Sequence, residues 1–153
     1  MPRILVAVDK TDGSRRAAEF VDRFFSSMDV AITAVNVACT PVEALPAVPF
    51  GEVFHWGPSG PGMDADDRAA VDEALTREQQ AAEAVALAQA PADADIEVVF
   101  GEVVEAILSA AEDDNADLIV VGSNDKSFLQ RLLSGSVSKE LARKAPRPVL
   151  IVR

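Results

Sequence analysis

Apolar residues occur along this chain in short runs and seldom alternate with polar ones. Ile4 to Val8 is the first run, closed by Asp9, and Ala31 to Ala38, Ile96 to Phe100, Leu118 to Val121 and Val149 to Val152 follow. Runs of this length without polar alternation predict strands covered on both faces, as parallel strands are. Between them the period changes. From Ser14 to about Ser27, a helical stripe of Ala17, Ala18, Val21, Phe24 and Phe25 is set apart from Arg15, Arg16, Glu19, Asp22 and Arg23, which predicts an amphipathic helix lying on the sheet. Further helical patterns run from about Ala65 to Ala90, from Glu102 to Asp113 and from Ser136 to Lys144. Strand and helix alternate strictly, which predicts an α/β fold with one parallel sheet of five strands and helices on both faces.

One stretch breaks the pattern. Thr40 to Met63 is rich in proline and glycine yet carries Val42, Leu45, Val48, Phe50, Val53, Phe54 and Trp56, too many apolar groups for a plain linker. An insertion of this length inside a domain is usually functional or disordered, and its aromatics point to a docked loop. The runs on either side are needed to complete one sheet, so residues 1–153 read as a single domain.

Composition narrows the function classes. A formal net charge of -11 disfavours a sequence-independent grip on nucleic acid or an anionic membrane, because such binding needs clustered Lys and Arg. No apolar run approaches the roughly 20 residues of a membrane-spanning helix. The single cysteine, Cys39, has no intrachain partner, and Met-Pro-Arg leads straight into a strand rather than a signal peptide. These features fit a cytoplasmic protein. Cys39 reads as a buried, inert thiol, and His55, the only histidine, has no second His or Cys nearby to suggest a metal or a nucleophile. Asp64, Asp66 and Asp67 read as the acidic start of the long helix, and Asp113 and Asp114 as solvated residues at the end of another.

The chemistry concentrates at strand ends. Parallel sheets of this kind bind ligands beyond the carboxyl ends of their strands, which draws attention to Asp9, Cys39, Gly101 and Gly122. Asp9 can accept hydrogen bonds from a sugar hydroxyl or a base amine, or can serve only as a turn or capping residue. Gly122, just past a buried strand, permits close approach of a ligand or an αL turn, and Gly135-Ser136 begins a helix whose free N–H groups and dipole suit an anion. Together these are the parts of a nucleotide site.

With ILVAVD at the start, GEVVEAILSAAEDDNADLIVVGS in the middle and LLSGSVSKELARKAPRPVLIVR at the end, the chain resembles the universal stress protein family over its whole length. The resemblance implies an adenine nucleotide alpha-hydrolase-like fold with strand order 3-2-1-4-5. It also implies ATP or a related adenine nucleotide as ligand, with or without Mg²⁺ or Mn²⁺. By similarity with ATP-binding members, Asp9 and the backbone at Val37 would meet the adenine end, while Val121, Gly122, Asn124 and Asp125 would line the ribose and phosphate loop. Gly135, Ser136 and Val137 would hold the phosphates. The family's nucleotide motif is Gly, two residues, a second Gly, nine residues, then Gly and Ser or Thr. Gly122, Gly135 and Ser136 fall on it, and Asp125 replaces the second Gly.

That replacement cuts both ways. Asp tolerates a left-handed backbone better than most residues, but its carboxylate about 4 Å from a phosphate would cost up to roughly 4 kcal/mol at an effective dielectric near 20. Lys126 or a divalent ion bridging Asp125 to phosphate would offset it. Two functional expectations follow. One is a dimeric regulatory protein that binds nucleotide and performs at most slow metal-assisted hydrolysis. The other is a member that has lost nucleotide and works as a dimeric interaction module, showing its 40–63 loop to an unknown protein partner. A nucleotidyl transferase would want a His-rich motif after the first strand, where this chain has VDKTDGS, and a phospho-accepting receiver would want Asp where Phe100-Gly101 stands. The resemblance makes the last strand a sheet edge, open to pairing with the same strand of a second copy, with Pro148 and Arg153 as possible blunting residues.

Overall fold

A computed structural model of the chain describes residues 1–38, 65–123 and 137–153, with the backbone alone for 65–68. The Thr40 to Met63 insertion, Cys39, His55, Asp64, the side chains of Asp66 and Asp67, and Asn124, Asp125, Lys126, Gly135 and Ser136 lie outside the described residues.

The elements follow the predicted alternation: β1 (Arg3–Ala7), α1 (Asp12–Phe25), β2 (Ala31–Ala38), α2 (Ala65–Gln89), β3 (Asp95–Phe100), α3 (Val103–Asp113), β4 (Leu118–Gly122), α4 (Val137–Lys144) and β5 (Val149–Val152). All strand pairs are parallel, and the sheet order is β3-β2-β1-β4-β5. Successive side chains of a strand point to opposite faces, so a central strand covered on both sides must be apolar throughout. β1 shows this directly. Leu5 packs with Val35, Ile119 and Val121 against Val104, Ile107 and Leu141 of α3 and α4, whereas Ile4, Val6 and the following Val8 pack with Ala34 and Val120 against Ala17 and Val21 of α1 and Ala86 of α2. β3 and β5 lie at the edges and are only half-buried, so there an apolar run marks a sheet edge covered less fully than the centre.

Local signals set the helix ends. Thr11 is extended at φ -87° and ψ 153°, and its hydroxyl accepts the Ser14 N–H, which starts α1. The third helix begins one residue later than predicted, because Glu102 caps it: its Oε2 accepts the Val104 and Glu105 N–H groups at 3.1 Å each. Gly101, at φ +139°, makes the turn into that cap, a conformation that L side chains rarely adopt. α3 closes on Asn115 in the left-handed region at φ 51°. Asn115 N–H donates to Glu112 O and Ala116 N–H to Ala111 O, the double bond pattern of a Schellman ending.

Two expectations are corrected. Asp114 is not solvated: it accepts Arg3 Nη1 at 2.5 Å and Thr33 Oγ1 at 2.9 Å, and its side chain is 17% exposed. It ties the end of α3 to the starts of β1 and β2. Phe24 does not share the buried stripe of α1. It is 48% exposed and lies against Phe20, with ring centroids 4.5 Å apart, while Phe25 reaches the core.

Candidate functional site

The chain moves outward from β1 through β2 to β3 on one side and through β4 to β5 on the other, so the order reverses between β1 and β4. Helices leave neighbouring strands in opposite directions there and open a crevice at the carboxyl ends. A cleft occupies this place. It is lined by Ala7, Val8, Asp9, Thr11 and Ser14 from the β1–α1 connection, Val35, Asn36 and Val37 from β2, Val103 and Ile107 from α3, Val121 and Gly122 from β4, and Val137 from α4.

Asp9, Val37, Val121, Gly122 and Val137, five positions named from the sequence, thus meet at one cleft. The other four, Asn124, Asp125, Gly135 and Ser136, lie outside the described residues. Sequence reasoning missed Thr11, Ser14, Asn36, Val103 and Ile107. Asn36 had a readable signal, a lone amide inside the apolar run of β2. It is 7% exposed and its Nδ2 donates to Val8 O at 2.7 Å. Val103 and Ile107 carried no such signal, since their role depends on how α3 is packed across the sheet.

Asp9 sits in a closed hydrogen-bonded turn. Its N–H donates to Ser14 Oγ at 2.7 Å, and its Oδ1 accepts both the Thr11 N–H at 2.8 Å and the Thr11 hydroxyl at 2.6 Å. The turn role of Asp9 is therefore observed, and it uses one carboxylate oxygen. Val8 N–H donates to Val35 O at 2.9 Å, so the strand exit is fixed on both sides.

Gly122 is not an αL residue, because positive φ among the described glycines occurs at Gly101. Its lack of a side chain serves close approach, and what approaches is the chain itself. A Cβ on Gly122 would collide with Gly13 O and C, and one on Gly13 would stand 2.7 Å from Ser123 O. Arg16 Nη2 donates to the same Ser123 O at 2.8 Å. The first turn of α1 and the exit of β4 are thus locked backbone to backbone.

Charge is distributed unevenly around the cleft. Glu102 already occupies the N-terminus of α3 with a carboxylate, which removes the usual attraction of that helix end for an anion. Asp9 adds negative charge at the end of β1. Donor groups of a ligand suit that side, and phosphate suits the opposite side, where β4 leads toward the start of α4. Among the described residues, the two groups with displaced proton affinity, Glu97 and Lys144, do not line the cleft. Burial raises the Glu97 carboxyl above its ordinary range, with Asp114 and Asp113 adding to the effect, and bonds to Glu105 and Glu140 raise Lys144.

The universal stress protein family model matches residues 1–153. The chain belongs to the universal stress protein family. It is 32% identical to the stress response protein NhaX of Bacillus subtilis, over 99% of this chain and 97% of that one. It is 33% identical to a Thermus aquaticus universal stress protein, over 98% and 97% of the two chains. Among solved structures it is similar to a universal stress protein in complex with cAMP, with a TM-score of 0.59 and 24% identity over 99% of this chain and 96% of that one. It is also similar to a family protein from Arabidopsis thaliana with AMP bound, with a TM-score of 0.58 and 15% identity over 99% and 91%. At these identities the likeness concerns the fold, the adenine nucleotide alpha-hydrolase-like arrangement described above.

Proposed function

We propose that this universal stress protein binds ATP or a related adenine nucleotide in the cleft beside the β1–β4 switch point. In this reading it serves as a cytoplasmic regulatory homodimer rather than a dedicated catalyst. The observation that carries the proposal is the meeting of Asp9, Val37, Val121, Gly122 and Val137 at one crevice of the fold. Ala7, Val37, Val103 and Ile107 offer apolar walls suited to a flat base, and Asp9 offers an acceptor at the rim. The cAMP and AMP complexes of two structural relatives support the same ligand class.

A divalent ion fits only in company with the nucleotide. Mg²⁺ takes phosphate oxygens together with one or two carboxylates; Asp125, which follows β4 in the sequence, is the candidate carboxylate, because Asp9, the one carboxylate on the described lining, stands on the side that suits ligand donors. With Oδ1 of Asp9 already bonded to Thr11, these residues support slow metal-assisted hydrolysis at most.

The second reading, a dimeric interaction module without nucleotide, is favoured by one observation, the Asp at position 125. Thermal melting with and without ATP, each in the presence and absence of Mg²⁺, separates the two. ATP at a hundred times its Kd adds about 2.7 kcal/mol of stability. No shift at millimolar ATP supports the interaction module, and a shift restored by Asp125→Gly identifies the carboxylate as the cause.

A further inference from the structure

We propose that Thr11 is a positioning residue of the cleft: by holding one oxygen of Asp9 twice, it leaves the other as a fixed acceptor for a hydrogen-bond donor on the ligand. The inference rests on the nucleotide reading of the cleft and names how that site recognises the nucleoside.

Asp9 is exposed, and a free carboxylate at the surface turns about its side-chain bonds. Here Oδ1 receives the Thr11 N–H at 2.8 Å and the Thr11 hydroxyl at 2.6 Å, which fixes the carboxylate plane. Thr11 is itself held, because it is the N-cap of α1 and its Oγ1 accepts the Ser14 N–H at 3.2 Å. Branching at Cβ limits its rotamers further. Ser14 closes the ring by accepting the Asp9 N–H at 2.7 Å, and it is 4% exposed, so the ring is anchored in the core. Among the described residues Oδ2 accepts no hydrogen bond. An ionised carboxylate is acceptor-only, so the group recognised there must be a donor, either a ribose hydroxyl or the exocyclic amine of adenine. Preorganisation is what Thr11 contributes, since an acceptor already fixed in place loses less freedom when the ligand arrives.

Calorimetric titration of the full chain with ATP tests this on Thr11→Val, Thr11→Ser, Asp9→Ala and the Thr11→Val/Asp9→Ala double variant. Loss of the hydroxyl in Thr11→Val is expected to weaken ATP about tenfold, in the range of a charge-assisted hydrogen bond, and Thr11→Ser to remain within about threefold of the parent. With Asp9 replaced by Ala, Thr11→Val is expected to change affinity less than about twofold, because its effect passes through Asp9. ITP lacks the amine and the 2′- and 3′-deoxy analogues of ATP each lack a hydroxyl. The analogue the parent binds more weakly than ATP identifies the donor, and Asp9→Ala should abolish that preference. Equal losses from Thr11→Val in both backgrounds would show a role of the helix cap alone and overturn the proposal. So would Thr11→Ser as weak as Thr11→Val, or a parent that binds all the analogues as well as ATP. A parent that binds no ATP ends the nucleotide reading and this inference together; a parent that binds while Thr11 fails these tests ends the inference alone.

Discussion

Gly122, the last residue of β4, packs directly on the backbone of Gly13 in the first turn of α1, and neither position has room for a Cβ. The contact joins the two connections that meet at the switch point, one leading from Asp9 into α1 and the other from β4 toward α4. Arg16 reinforces it by donating to Ser123 O.

Gly122→Ala is therefore expected to destabilise the protein by about 1–3 kcal/mol, the usual cost of overpacking a core. Gly13→Ala is the sharper case. Replacing a helical Gly by Ala ordinarily gains about 1 kcal/mol, but Ser123 O at 2.7 Å from the new Cβ is main chain and cannot swing aside. Both variants should lower the urea midpoint without changing the slope. A gain in stability from either would show that the two backbones separate easily.

Glu97, half-buried on β3, has its carboxyl pushed above the ordinary 4.5 chiefly by burial and further by Asp114 and Asp113. Binding its proton more tightly when folded, it contributes stability that is complete below the unfolded value and lost as pH rises through the folded one. At neutral pH the charged group is a net cost. Glu97→Gln should raise the melting temperature at pH 7, and the advantage should disappear as pH falls below 4.5, as paired melting curves at the two ends of the range will register. A variant less stable than the parent at pH 7 would contradict this origin of the shift.

β5 bonds inward to β4 through Pro148 O, which accepts Ile119 N–H, and Val152 O, which accepts Ser123 N–H. With a two-residue period, Val149 and Ile151 present their N–H and C=O groups on the outer side. If the proposed dimer pairs two such edges, light scattering should give twice the chain mass, and Ile151→Pro, which removes an outward donor while leaving the inward bonds, should yield a folded monomer. A parent that is already monomeric, or a proline variant that stays dimeric, would move the interface away from this edge.

Legibility in the sequence followed the range of the physics involved. β5 was read to its end residues because an apolar run between Pro148 and Arg153 is a local signal. α3 was read one residue too early, because Glu102 belongs to the helix pattern by composition and acts as a cap by geometry. Asp114 was misread for a similar reason. A charged residue after a helix is usually solvated, and only the return of Arg3 and Thr33 from distant parts of the chain makes it a structural partner. Within the cleft, Asp9 and Gly122 are legible as residues at the ends of their strands, Val37, Val121 and Val137 through the family resemblance, and Asn36 is visible in principle as the one amide in β2.

The sequence by itself determined the alternation of strand and helix, the apolar centre of the sheet and the family, because burial on both faces and helical periodicity are written residue by residue. Only the tertiary structure decided that Gly122 is required by Gly13, that Thr11 takes up one oxygen of Asp9, and that α3 supplies a wall of the cleft. Those relations arise between side chains and backbones brought together by the crossing of elements over the sheet, and no local pattern carries the angle at which two elements meet.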